Sequence, residues 1–230
     1  MRLSVVMPVY NERATIRAIV ERVLASPHVA QLVVVDDFSN DGTREIARGM
    51  ARADGAVKVL LHDANRGKGA AIRTGLAHCT GDCVVIQDAD LEYDPSDYGS
   101  LVAPLEEGRA DAVFGSRFSG PATGSARLRA MRLVNRALTA LSNAFTGLSL
   151  TDMETCYKCF TRDVARRLAI TQDRFGVEPE ITARLAAMGC RVVEVPVGYF
   201  PRGYAEGKKI GVKDALEAVL CIWRYRRGAL

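Results

Sequence analysis

Asp88 and Asp90 stand two residues apart where an apolar run ends, in IQDADLEYDP (86–95), and Glu92 repeats the spacing. On extended backbone, every second side chain points to the same side. Three carboxylates so placed repel one another unless a cation lies among them, and a hard divalent ion with oxygen ligands relieves that repulsion. Asp88, Asp90 and Glu92 are therefore candidate ligands for Mg2+ or Mn2+, which would in turn neutralise a diphosphate. The same carboxylates would also serve to cap a helix after Pro95 and to solvate a turn. A bare Asp-x-Asp does not separate the two readings, but its place directly after VVIQ favours the metal.

Three further clusters carry polar side chains. In MPVYNE (7–12), Pro8 suits a strand that is ending, and Asn11 is a candidate N-cap for a helix whose first N–H groups face a polar ligand. Ordinary strand-to-helix punctuation accounts for the same residues. In VVVDDFSNDGT, capping explains Ser39, Asn40 or Asp41 but not both Asp36 and Asp37. A carboxylate there can accept from the imino N–H of uracil or guanine. NRGKGAA (65–71) places Lys68 in a Gly-rich turn before a helix, which suits phosphate, although it lacks Walker A spacing. His28, His62 and His78 lie near element ends away from the acidic segment and are given no role. Cys156 and Cys159 form a Cys-x-x-Cys, but the stretch reads as a strand, which would turn the two thiols to opposite faces and argues against zinc or redox chemistry.

The elements that must position these groups alternate. Strands are expected at 3–9, 31–36, 57–61, 83–87 and 112–115, with helices over 12–25, 41–53, 69–79 and 95–107. This is the pattern of successive βαβ units and a largely parallel sheet. The strand runs VVMPV, LVVVD and VVIQD are unbroken rather than alternating, as when helices cover both faces of a sheet, so ligands should gather at the carboxyl ends of the strands. Beyond Gly120 a Gly/Ser/Pro-rich link leads into a long helix bearing Arg127, Arg129, Arg132 and Arg136. A strand near Tyr157, helices over 163–169 and 178–188, a strand over 191–199 and a final helix over 212–226 complete the chain.

Taken together, the stretches PVYNE, VVDDFSNDGT, NRGKGAAIRTGL, DADLEYDP, GSRF, TDMETCYK, EPEITA and RGYAEGKKI resemble family 2 glycosyltransferases of the GT-A fold. Among these, the dolichyl-phosphate and polyprenyl-phosphate mannosyltransferases are the most similar group, and the resemblance runs over nearly the whole chain. It implies a Rossmann-like, mostly parallel sheet flanked by helices. It implies nucleotide contacts at Pro8, Tyr10, Glu12, Val35 and Asp37, metal and diphosphate contacts at Asp88, Ala89 and Asp90, and anion contacts at Arg117, Arg202 and Lys208. Glu92 departs from the Gln that some of these mannosyltransferases carry there. The implied reaction is an inverting displacement that moves a hexose, mannose or glucose, from a GDP- or UDP-sugar.

A polyprenyl or dolichyl phosphate acceptor would need no strong base, since its oxygen is already ionised. Arg117, Arg129, Arg132 and Lys209 would then orient it. A hydroxyl acceptor would need a carboxylate base, for which Asp152 is the candidate. Asp152 equally suits a cap or a salt bridge to a neighbouring Arg.

With 230 residues, 48% hydrophobic and 25% charged, the chain suits one domain, its residues 1–120 forming the nucleotide-sugar part and 121–230 the acceptor side. A net charge of +4 is too mild to indicate nucleic acid. No stretch reaches the roughly 20 apolar residues of a membrane span, and no signal peptide is evident after Met1. The final helix gathers Val212, Ala215, Leu216, Val219, Leu220 and Trp223 on one face, with Lys213, Arg224, Arg226 and Arg227 beside it. Such a face packs on a core or lies in a membrane interface. The expectation is a cytoplasmic protein held peripherally at the cytoplasmic face of the membrane, with room for a separate membrane-anchored partner. A nucleotidyltransferase would open with a basic Gly-rich loop where PVYNE stands. A non-catalytic sugar-nucleotide-binding module would bind donor without turning it over.

Overall fold

The computed structural model describes residues 1–53, 56–118, 126–174, 176–201 and 212–225, with side chains from 52–53, 126–131 and 212–216 outside that description. Seven strands form one sheet: β1 (Leu3–Val9), β2 (Val29–Asp36), β3 (Val57–Leu61), β4 (Cys83–Ile86), β5 (Ala112–Ser116), β6 (Lys158–Thr161) and β7 (Val192–Pro196). Their order is β3-β2-β1-β4-β6-β5-β7. β1 to β4 are mutually parallel and β5 is parallel to β7, while β6 runs antiparallel to both β4 and β5. The unbroken apolar runs are buried, with Val5, Val6, Met7, Val33, Val34, Val35, Val85 and Ile86 closed to solvent, as a sheet covered on both faces requires.

The helices are α1 (Ile16–Ala25), α2 (Thr43–Ala53), α3 (Lys68–Leu76), α4 (Tyr98–Glu106), α5 (Ala126–Thr146), α6 (Arg162–Arg167), α7 (Val177–Ala187) and α8 (Val212–Tyr225). Helix α3 lies against β1 and β2 so closely that a Cβ on Gly75 would stand 2.4 Å from Val6 Cγ1. α1 starts four residues later than the sequence suggests. Asn11 is not its N-cap: Asn11 adopts φ +54, and the Glu12 carbonyl accepts from Ile16 N at 2.9 Å instead.

Two features of this topology place the site. β1 has β2 on one side and β4 on the other, so the connections diverge there and open a crevice at their carboxyl ends. β6 runs the other way, so the segment entering it, 151–157, arrives at the same edge of the sheet, where Cys156 Sγ reaches the Ile86 carbonyl. Cys156 therefore lies just ahead of the strand and only Cys159 is within it.

Helix α8 is apolar on two sides. Ala218, Cys221, Ile222 and Tyr225 are buried, whereas Val219, Leu220 and Trp223 of the expected face are exposed. No described helix is long and apolar enough to cross a membrane.

Candidate functional site at the carboxyl edge

The three central strands β1, β2 and β4 each end in a sharp turn whose pivot is a non-glycine residue with positive φ: Asn11 (φ 54), Phe38 (φ 67) and Leu91 (φ 63). L-residues adopt this conformation at a free-energy cost, and it concentrates at functional sites. The first two turns are stitched together, Asn11 N donating to Ser39 Oγ and Asn40 N donating to Asn11 Oδ1, both at 2.9 Å. Glu12 is held in the same corner by Thr43 Oγ1, which accepts from its N–H, and by Thr15, whose hydroxyl donates to Glu12 Oε2.

Asp37 organises the Gly-rich turn. Its Oδ1 accepts from Arg66 N at 2.9 Å and lies 2.7 Å from His62 Nδ1, and its Oδ2 accepts from Gly67 N at 2.7 Å. His62, to which no role is assigned from sequence, bridges Asp37 to Thr74 of α3. Asp36, wholly buried beside it, keeps Oδ1 without a hydrogen-bond partner. Val35 packs on Ala71 of α3, Pro8 is half-buried in β1, and Tyr10 is exposed at its end.

The turn delivers Lys68 to the centre of the edge. Its Nζ lies 2.9 Å from Asp88 Oδ1 and 2.9 Å from Glu178 Oε1, and Glu178 Oε2 in turn lies 3.1 Å from Lys158 Nζ. Lys158 is fully buried and also donates to the carbonyls of Met153 and Thr155. Burial alone would lower the Lys68 ammonium, but Asp88 and Glu178 outweigh it and hold the group well above the usual lysine range. Burial likewise pushes Glu178 up, and Lys158 and Lys68 reverse it, so that carboxyl stays below its ordinary value. Asp88, Lys68, Glu178 and Lys158 thus form a chain of alternating charge drawn from the segment after β4 and from α3, α7 and β6.

Asp90 and Glu92 lie beyond it, both half-buried, with Asp90 Oδ1 accepting from Glu92 N at 3.1 Å and Tyr199 OH donating to Glu92 Oε2 at 2.8 Å. Asp88, Asp90 and Glu92 are not drawn together: no three carboxylate, imidazole or thiol groups among the described residues converge as metal ligands. The reason is local. Asp88 faces Lys68, and the left-handed Leu91 breaks the extended backbone that would have aligned all three. Hard oxygen donors remain at Asp90 and Glu92, and they fit Mg2+ or Mn2+ better than a softer ion.

On the far side, after β5, Arg117 grips Asp152 with Nε to Oδ2 and Nη2 to Oδ1, each at 2.7 Å, while Asn135 Nδ2 donates to Oδ1 at 3.1 Å. Asp152 is wholly buried, and both its oxygens are occupied. Of the two roles the sequence left open, the structure shows the salt bridge. Arg117 also lies over the Tyr199 ring, 5.1 Å from its centre, and Arg132 of α5 lies over Phe118. Ala89 is buried under this edge. Arg129 is within α5, its side chain outside the description, and Arg202, Lys208 and Lys209 lie outside the described residues.

A covered, mostly parallel sheet that gathers carboxylates and cations at its switch point defines an α/β domain suited to an anionic ligand. The chain belongs to Glycosyl transferase family 2, whose profile covers residues 4–169. It is 32% identical over 201 residues to glycosyltransferase AglJ of Haloferax volcanii, covering 87% of this chain and 63% of that protein. It is 29% identical over 211 residues to the undecaprenyl-phosphate 4-deoxy-4-formamido-L-arabinose transferase of Aeromonas hydrophila, covering 90% of this chain and 62% of the relative. The chain thus spans less than two thirds of these relatives' length. Among solved structures, glucosyl-3-phosphoglycerate synthase from Mycobacterium tuberculosis, in complex with Mn2+, uridine diphosphate and phosphoglyceric acid, superimposes with TM-score 0.74 at 23% identity, over 98% of this chain and 78% of that one. That likeness is one of fold, the GT-A architecture.

Proposed function

We propose that this chain is the transfer unit of an inverting, metal-dependent hexosyltransferase. It takes mannose or glucose from a GDP- or UDP-sugar and passes it to a polyprenyl or dolichyl phosphate at a membrane surface. The observation that carries the reading is the shared edge: Lys68 and Asp88 on one side, Arg117 and Asp152 on the other, with Tyr199 linking Arg117 to Glu92 and Glu92 bonded to Asp90. The polyprenyl-phosphate chemistry in the name of the Aeromonas relative supports the acceptor class.

In this reading the corner built by Glu12, Asp37 and Tyr10 receives the nucleoside, and Pro8 and Val35 form its floor. Asp90 and Glu92 would hold Mg2+ or Mn2+, which when bound offsets charge on the departing diphosphate. Lys68 places a second cation near the same oxygens and keeps Asp88 oriented. Arg117, fixed by Asp152, keeps a guanidinium ready for an anionic acceptor, with Arg129 and Arg132 of α5 and, in the sequence ahead of α8, Arg202, Lys208 and Lys209 as further candidates. A phosphate acceptor fits this arrangement better than a hydroxyl, because the carboxylate that would serve as base is already saturated.

The test is incubation with radiolabelled GDP- and UDP-sugars and a short polyprenyl phosphate, with and without Mn2+. One donor is expected to turn over, and only with the metal. Asp90→Ala should lower that turnover by a factor of about 100 or more, the range seen when a charge-stabilising group is removed, with an unchanged circular dichroism spectrum. Retained turnover in the variant would remove Asp90 from the mechanism.

A further inference from the structure

The segment that enters β6 is almost completely committed. Asp152 and Met153 donate their amides to Glu194 and Thr139, Cys156 donates its amide to Tyr93 OH, Tyr157 OH donates to Gln87, and the carbonyls of Met153 and Thr155 accept from Lys158. Glu154 is the exception. Among the described residues two buried side-chain oxygens lack any hydrogen-bond partner, Asp36 Oδ1 and Glu154 Oε1, and both belong to segments at the carboxyl edge of the sheet. Native interiors rarely leave such an oxygen unpaired without a water or a ligand to fill it.

The order of the strands says which part of a donor would reach it. The nucleoside corner lies where β1 and β2 end, Asp88 lies where β4 ends, and the segment holding Glu154 lies next, above β6, on the side away from β2. A nucleotide sugar laid from the corner across β4 brings its hexose, not its ribose or diphosphate, to that segment. An acceptor oxygen among carboxylates repels phosphate and accepts readily from a hydroxyl. Resting on the function proposed above, we infer that Glu154 is a specificity-determining residue whose Oε1 accepts a hydrogen bond from a hydroxyl of the transferred hexose. The charged groups that act on the side chain are Glu178, Lys158, Arg117 and Asp152. Burial and then the neighbouring Glu178 push its carboxyl up to about 7, as expected of an oxygen that lacks a donor.

The experiment pairs Glu154→Ala and Glu154→Gln with the donor that the wild type uses and with its monodeoxy analogues, and measures kcat/KM alongside calorimetric binding of the plain nucleoside diphosphate with Mn2+. Glu154→Ala is expected to lower kcat/KM at least tenfold for the full donor, and much less for the one deoxy donor that lacks the recognised hydroxyl, while nucleoside diphosphate affinity stays within twofold. Such non-additivity identifies contact between the two groups. Additive losses with every deoxy donor would mean a buried water only, and a parallel fall in nucleoside diphosphate binding would mean a structural role; either overturns the inference. If the alanine variant does not fold, Glu154→Leu, which fills similar space without an acceptor, decides by the same cycle, whereas Glu154→Gln keeps an acceptor oxygen and should retain the discrimination. Failure of the proposed function would show earlier and differently, as a wild type that turns over no donor.

Discussion

Lys68 lies between two carboxylates with little water around it, its side chain 17% exposed and those of Asp88 and Glu178 25% and 8%. Removing one member of such a group leaves the others desolvated and unpaired, so Lys68→Met should destabilise the fold by about 3 kcal/mol, the lower end for broken buried pairs. Urea denaturation measures it, and a change under 1 kcal/mol would show that the ammonium is solvated. Glu154 gives the matching pH signal. Facing Glu178, Lys158, Arg117 and Asp152, it holds its proton up to about 7 in the folded chain against 4.5 for the free group. The folded state therefore binds more protons than the unfolded one between those values, and stability falls as pH rises through that window. The full contribution is present below pH 4.5, and the loss by pH 8 is on the order of 3 kcal/mol. Glu154→Gln removes this titration, so the stability difference between variant and wild type should drift with pH across the window and level off outside it.

At the scale of elements, α3 shows how glycine sets the site. Gly67 has φ +100, and a Cβ on Gly69 would stand 2.0 Å from the Gln172 carbonyl oxygen. These two glycines flank Lys68 and let the start of α3 press against 172–173, which brings the ammonium between β4 and α7. Gly69→Ala forces the backbones apart and is expected to destabilise by about 1–3 kcal/mol, the range for overpacking, and to weaken nucleoside diphosphate binding. An unchanged denaturation midpoint would mean the approach is not required. The strands and most of the helices were legible because unbroken valine runs between turn residues leave few alternatives: β1 and β3 match their expected limits, and β2, β4 and β5 shift by one or two residues. The positions of Glu12, Asp37 and Asp88 at one edge followed from that. What the chain order hid was pairing across distance. Asp37 meeting His62, Arg117 meeting Asp152 and Lys68 meeting Glu178 depend on the antiparallel β6 and on α7, whose placement no local periodicity encodes. Leu91 shows the converse, since a single left-handed residue undid an alignment that the two-residue spacing of Asp88, Asp90 and Glu92 had suggested.

Across the whole molecule, the outward sides of α5 and α8 are unusually apolar. Leu133, Leu220 and Trp223 are 71%, 67% and 57% exposed, with Val134, Val219 and Phe145 also open to solvent. Phe145 and Trp223 meet edge to face, their centres 6.1 Å apart, so the two helices present one surface there. Arg136 and Arg224 are exposed on the same helices. Apolar side chains beside arginines suit the interface of a bilayer with anionic headgroups, where a polyprenyl phosphate would be met. The buried side of α8, held by Tyr225 OH against Thr171 at 2.6 Å, keeps the helix on the domain while its other side faces outward. The expected outcome is sedimentation with anionic vesicles at low salt and a blue shift of the Trp223 emission, the chain's one tryptophan. Two effects then separate the contributions. Raising salt weakens the arginine part within a Debye length, and Leu220→Ser with Trp223→Ser removes apolar contact worth a factor of about ten or more in partitioning. Vesicle binding that is unaffected by the double substitution would place the membrane contact elsewhere on the molecule, and an unshifted emission in the bound wild type would keep α8 out of the bilayer.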